Sequence, residues 1–308
     1  MPGVAGTTAG TTLTFATSPD LKPMFARAVL NGRFSADGLP QTVAERRGIR
    51  VDVGHVVDYA HVCGFSVGTS LPMTYPHVLA FPLQVALMSR REFPLSLVGL
   101  VHVENAITWR RPLVPEDVLD LRVSASGLRP HRRGRLVDLV NEVSVDGQVV
   151  WSGVSTYLAR GTGDPAAVSA EAPDVTELAR STGGAVWRLD EGTGRRYARV
   201  SGDVNPIHLH ALTARALGFD RAIAHGMYTY ARVVSALGPR VPAAGTSRVW
   251  FRKPVRLPST VLLKVSPDAR HAVVVPRTGE GEHIVVETTP ARRRPPPTRV
   301  PNTRFVKS

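Results

Sequence analysis

Residues 197–210, YARVSGDVNPIHLH, hold the side chains best suited to proton chemistry. Asp203 and His208 lie on either side of Asn205-Pro206, which reads as a helix start: Asn is a favoured N-cap and Pro is favoured at the first helical position. The run from Ile207 to Leu217 then ends at Gly218, a suitable C-terminal residue. This spacing predicts His208 in the first helical turn, where the positive end of the helix dipole disfavours imidazolium and leaves a neutral ring able to accept a proton. Asp203, just ahead of the cap, faces His208 across the turn. A carboxyl group and an imidazole placed this way can divide proton donation and abstraction between them. Taken alone, the motif fits better a turn organised by Asp203 and Asn205 with a histidine that caps or packs.

The segment 222–237, AIAHGMYTYARVVSAL, changes the balance. Met227, Tyr230, Ala231, Val234 and Leu237 follow helical spacing and give a helix with one buried face. Gly226 stands at its head. An N–H there, unobstructed by a side chain, can donate to a carbonyl oxygen that gains negative charge. A thioester carbonyl held in this way has a more acidic α-carbon. The plainer alternative is that Gly226 only allows close packing at the helix start.

The elements that must position these groups occur twice. WRRPLVPEDVLDLRVS at 109–124 matches FRKPVRLPSTVLLKVS at 251–266 with an offset of 142. Tyr59–Gly64 matches Tyr197–Gly202 with an offset of 138. Each half runs from a Tyr-led segment ending in Gly, through a loop and an apolar helix (82–90 and 226–237), into strands. The strands are expected at 100–110, 117–126, 135–146 and 148–159, then at 246–255, 259–266, 271–276 and 282–288. One helix wrapped by antiparallel strands, duplicated, is an α+β plan. In the first half Phe65 stands where Asp203 would be, Ser70 where His208 would be, and Pro82, which has no N–H, is paired with Gly226. That half is therefore read as chemically silent and as shaping an acyl tunnel.

The 308 residues include 43% hydrophobic ones, enough for a substantial core, and carry a formal net charge of +13. Arg129, His131, Arg132, Arg133 and Arg135 surround Gly134 in what reads as a hairpin turn. Arg292, Arg293, Arg294, Arg299, Arg304 and Lys307 fall in a Pro-rich tail read as disordered. Neither cluster has interleaved aromatics or a nucleic-acid-binding motif, so the charge reads mostly as solvated surface, and as a functional reading it points to a phosphate-bearing carrier and not to nucleic acid. The single cysteine, Cys63, excludes an internal disulfide and suits a reducing cytoplasm. Residues 1–20 lack the pattern of a signal peptide, and no apolar run is long enough to span a membrane.

The run Tyr197–His208, followed by Ala224-His225-Gly226-Met227, resembles the MaoC-like, R-specific enoyl-CoA hydratase group, and within it the actinobacterial double-hot-dog (3R)-hydroxyacyl thioester dehydratases. The resemblance implies a double hot-dog fold, with two tandem repeats each wrapping a central helix in an antiparallel sheet. It implies a flexible N-terminus (1–20), a degenerate first repeat (21–160), a linker (161–185), a catalytic repeat (186–288) and a basic tail (289–308). It further implies hydration and dehydration of trans-2-enoyl and (3R)-hydroxyacyl thioesters by Asp203 and His208, supported by Asn205, with the Gly226 N–H on the thioester oxygen. Ser201 joins Asn205 as a support, and His225, Met227, Tyr230, Phe65 and Phe81 are assigned to the substrate pocket. No cofactor and no metal are expected. Coenzyme A or phosphopantetheine enters as part of the substrate, and the partners are acyl-CoA or acyl carrier protein together with a second copy or a partner subunit.

Two other functions remain open: a hot-dog thioesterase and a non-catalytic acyl-binding subunit. Gly64-Phe65-Ser66-Val67-Gly68 matches the serine-hydrolase elbow, but Pro72 and Pro76 disfavour the helix that must follow it. His208-x-His210 with His225 could suggest a metal site, but His208 and His210, two apart on a helix, would point to opposite sides and could not readily share one ion. Gly192-Thr193-Gly194 lacks the rest of a dinucleotide fingerprint and reads as a turn.

Overall fold

The structure, a computed structural model, describes residues 10–21, 23–25, 38–97 and 99–291. The basic tail from Arg292 onward and residues 1–9 lie outside the described residues. In the first half, β2 (Val43–Arg50) leads into α1 (Val53–Cys63) and α2 (Tyr75–Met88). Then come β3 (Leu100–Trp109), β4 (Val118–His131), β5 (Gly134–Val145) and β6 (Gln148–Arg160). A short helix α3 (Thr176–Arg180) follows, and the same series returns: β7 (Ala185–Leu189), α4 (Thr193–Ser201), a 3-10 turn (Pro206–His208), α5 (Ala211–Ala216) and α6 (Gly226–Leu237). It ends with β8 (Gly245–Phe251), β9 (Ser259–Val265), β10 (His271–Pro276) and β11 (Ile284–Pro290).

With the edge strand β1 (Thr12–Thr14), which pairs in parallel with β2, these strands form a single sheet of order β1-β2-β4-β5-β6-β3-β8-β11-β10-β9-β7. Apart from β1, the order on one side of the β3–β8 seam mirrors that on the other. Across the seam the strands are antiparallel, and Ala106 stands opposite Arg248, its counterpart at the 142-residue offset. A pseudo-twofold axis therefore passes between these two residues. The Arg248 guanidinium also reaches Glu104 across the seam. This is the expected double hot-dog architecture.

α2 is apolar on nearly every side, and all its residues except Leu79 are buried, as befits a helix enclosed by a sheet. It starts earlier than the predicted 82–90, because Tyr75-Pro76 begins the helix and Pro82 lies within it. The Gly226 counterpart is therefore the Tyr75-Pro76 start and not Pro82. The Tyr-led segments are helices α1 and α4. They end at Gly64 and Gly202, both in left-handed conformation (φ 79° and 72°), which only glycine adopts freely.

The predicted helix from Ile207 to Leu217 is broken. Asn205 caps the Pro206–His208 turn through a bond from Ile207 N, the chain is extended at His210, and α5 starts at Ala211. Asn-Pro signals a helical turn but does not set its length. Part of the presumed flexible N-terminus is strand β1, and part of the presumed linker is helix α3. The Arg132-Arg133 turn joins β4 to β5 as read from the sequence. Among the described residues, no helix is long and apolar enough to cross a membrane.

Candidate active site

The site forms where the loop after α4 meets the head of α6. α4 places Ser201 and Gly202 at its end. Beyond the turn, Ser201 Oγ accepts from Asp203 N, and Asp203 Oδ1 accepts from Asn205 N. The Asp203 carboxylate is thus fixed by a local turn, and 24% of its side chain remains accessible. The 3-10 turn carries His208 inward to 8% exposure. Gly194 allows this approach, because a Cβ at that position would lie 2.0 Å from the His208 carbonyl oxygen. This is the purpose of the glycine that the sequence reading assigned to a turn.

His208 Nδ1 lies 2.8 Å from the carbonyl oxygen of Ile223. A carbonyl can only accept, so Nδ1 carries the proton and Nε2 is the bare, basic nitrogen. The ring is neutral, but the helix dipole is not the cause. Burial pulls its pKa down, against the Asp203 charge and the Ile223 carbonyl, which raise it. Burial likewise raises the Asp203 pKa, while His208 and the Asn205 N–H pull it back. Burial thus moves the two groups' proton affinities toward one another, as an acid–base pair requires.

His225, assigned from sequence to the pocket wall, has a different place. Its Nε2–H donates to the main-chain oxygen of Asp203 at 3.0 Å, and its ring stacks on His208 with centroids 3.7 Å apart. Burial and the neighbouring His208 hold its pKa well down, so it is a neutral strut between the acid and the imidazole. Tyr197 packs against it at 4.9 Å.

Gly226 follows as the first residue of α6, where an N–H has no partner within the helix. The Phe251 ring also requires glycine there, since a Cβ would sit 2.8 Å from the ring edge. The close packing expected at the helix start is therefore present, and the Gly226 N–H is left without a partner in the helix. Met227 and Tyr230 are buried in the core at 6% and 0% exposure.

The first half contributes to the wall, through residues other than those expected. Tyr157 of β6 is buried, and its pKa is raised by burial and by the charge of Asp203. His102 of β3 stacks on Tyr157 (4.5 Å) and meets Phe251 (4.9 Å). Phe81 stands further back, against His77, which in turn stacks on His102. Phe65 is not at this site: it stacks on Tyr59 and lines a cavity elsewhere. No spacing in the sequence pointed to Tyr157 or His102, because they come from strands of the other repeat.

Asp203, His208 and His225 form the kind of group that can hold a metal, with donor atoms spread over as much as 4.8 Å. A zinc ion with ~2.1 Å bonds needs tetrahedral ligands roughly 3.4 Å apart, so this triad would have to contract to grip one. His210 is exposed and takes no part. The serine-elbow motif lacks its context, because helix α1, not a strand, precedes Ser66.

Fold and site together define a double hot-dog protein with an acid–imidazole pair at the head of one central helix. A family model described as "MaoC like domain" matches residues 171–287. The chain is 40% identical over 234 residues to 3-hydroxyacyl-thioester dehydratase X of Mycobacterium tuberculosis, covering 75% of this chain and 82% of that protein. It is 34% identical over 100 residues to a 3-hydroxybutyryl-CoA dehydratase of Methylorubrum extorquens, 30% of this chain and 64% of that one. The crystal structure of HtdX from M. tuberculosis superposes with a TM-score of 0.70 at 35% identity, covering 80% of this chain and 98% of that one. A MaoC-like dehydratase from Phytophthora capsici shares the fold at a TM-score of 0.62 and 18% identity, over 81% of this chain and 95% of that one. The chain belongs to the family of MaoC-like dehydratases.

Proposed function

We propose that the chain is a hydro-lyase that interconverts trans-2-enoyl and (3R)-hydroxyacyl thioesters at Asp203 and His208. The observation that carries this reading is the bare Nε2 of a buried, neutral His208, fixed by the Ile223 carbonyl beside a carboxyl group that burial makes a better proton holder. In hydration, a water between Asp203 and His208 adds to C3 and gives up one proton to the pair. The π electrons move toward the carbonyl oxygen, held by the Gly226 N–H, and return to form the C2–H bond as a proton is delivered there. Dehydration reverses each step: C2–H and C3–O break, and water leaves. Asn205 and Ser201 keep the Asp203 carboxylate in register.

The carrier reading rests on charge beside the segment that leads into α6. The stretch 252–257 runs beside residues 222–224, through bonds from Ala224 N to Val255 O and from Leu257 N to Ala222 O. Arg252, Lys253 and Arg256 on it are all exposed. Cations placed there suit the phosphates of coenzyme A or of a carrier-protein phosphopantetheine.

The test is a coupled assay with trans-2-enoyl-CoA substrates of several lengths, following loss of the conjugated thioester absorbance. Wild type should hydrate them, and Asp203→Asn and His208→Ala should each lose well over ~100-fold in rate. Unchanged rates in either variant would refute the assignment. Release of free thiol would favour a thioesterase, and binding without conversion a non-catalytic acyl-binding subunit.

A further inference from the structure

The silent half keeps a cavity at the place related to the active site by the pseudo-twofold axis. It has a volume of about 350 Å³, and its walls include Phe65, Met73, Trp109, Trp151, Val234 and Val241. The correspondence holds element by element. Phe65 follows the cap of α1 as Asp203 follows that of α4, and Ser70 stands at the position of His208. Tyr75-Pro76 begins α2 as Gly226-Met227 begins α6, and Trp109 ends β3 as Phe251 ends β8. The carboxyl group and the imidazole have been replaced, and the helix-head N–H, that of Tyr75, is taken by the Pro72 carbonyl, but the space has not been filled.

The cavity is separate from the active site. Val234 lies eight residues beyond Gly226 along α6, about 12 Å at 1.5 Å per residue. Its walls are fixed rather than collapsible. The Trp109 indole N–H donates to the Pro242 carbonyl at 3.1 Å, and that of Trp151 to the Met73 carbonyl at 2.9 Å. The polar groups at its edge offer little to a charged ligand. Arg111 is spent on both oxygens of Asp117, leaving the Ser66 and Ser70 hydroxyls. Val67, in the same loop, is 67% exposed. A rigid, aromatic-walled space near the small end of the roughly 300–1,000 Å³ range for ligand sites suits an apolar chain. It has room for about ten methylene-sized groups at the ~30 Å³ that a water-sized group occupies.

We infer that this cavity is a second, non-catalytic site that binds the saturated chain of a fatty acid or fatty-acyl thioester. The choice of ligand class rests on the thioester reading of the catalytic half, but the existence of the site does not. A chain held there touches Val234 and Val241 of the catalytic repeat as well as the first repeat, so its occupancy couples the two halves.

The test is calorimetric titration of the full chain with decanoyl-CoA, which has no double bond or 3-hydroxyl to react, and separately with decanoate. Wild type should bind two decanoyl chains. Ser70→Trp, which plugs the mouth, should bind one and still hydrate a trans-2-enoyl-CoA at the wild-type rate. Ser66→Tyr serves as a second plug, and the melting temperature of each variant checks folding. Decanoate filling the second site as well as decanoyl-CoA assigns a free fatty acid, and filling by decanoyl-CoA alone assigns the thioester. One chain bound by wild type, or two that both plugs leave in place, would overturn the inference. Absent hydration with the stoichiometry still falling from two to one would sink the proposed activity and spare the second site.

Discussion

Gly194→Ala tests the architecture of the active site without touching a reacting group. The added Cβ would lie 2.0 Å from the His208 carbonyl oxygen and 3.0 Å from its carbonyl carbon. Both are main-chain atoms, so no rotamer change relieves the contact. Reaching an ordinary separation of ~3.4 Å requires the 3-10 turn or helix α4 to move by more than ~1 Å. The stability terms oppose one another. Alanine in a helix is worth about 1 kcal/mol over glycine, while overpacking costs about 1–3 kcal/mol. Net destabilisation should therefore be modest, and the protein should remain folded. The catalytic effect is not offset in this way. His208 Nε2 is fixed through Nδ1 to Ile223, and a ~1 Å misplacement of a catalytic group costs on the order of 100-fold. The assay is kcat for enoyl-CoA hydration beside a thermal melt and a near-ultraviolet circular dichroism spectrum. A folded Gly194→Ala protein with wild-type kcat would show that His208 needs no such placement, and the reasoning would fail.

Other outcomes follow from the same contacts. His225→Ala removes the hydrogen bond to the Asp203 carbonyl and should lower kcat by about fivefold to tenfold, roughly one hydrogen bond. His225→Gln, whose amide can still donate, should recover part of the loss, whereas a purely packing role would show no such recovery. Because folding raises the Asp203 pKa, ionising this group costs stability as pH rises above about 3.8. Asp203→Asn should therefore melt higher than wild type at pH 7, and the gap should close at low pH; equal melting temperatures throughout would contradict the burial argument. His77 behaves oppositely: burial lowers its pKa from 6.5 to about 4. The unfolded chain takes up a proton below pH 6.5 that the fold refuses until about pH 4, so stability falls across that window. The loss is about 2 kcal/mol at pH 5. Denaturant midpoints measured against pH should show a shallower slope in His77→Phe, and an unchanged slope would discount His77.

Much of this protein was legible in its sequence. The duplicated segments gave the offset that places Ala106 opposite Arg248, and the strand limits came out within a few residues because alternation and turn residues are local signals. Asp203, Asn205, His208 and Gly226 could be singled out as candidates because their spacing lies within single turns and helix starts. Four features were decided only by tertiary packing. His208 is neutral because its ring is buried against the Ile223 carbonyl, not because of a helix that proved to be a 3-10 turn. His225 became a strut for Asp203, and Tyr157 and His102 came to the site from strands of the other repeat. Phe65, assigned to the same pocket, went to the opposite cavity. The physical reason is common to all of these. Backbone geometry limits what near neighbours along the chain can do, whereas burial, tautomer and wall-forming contacts depend on which distant segments the sheet brings together.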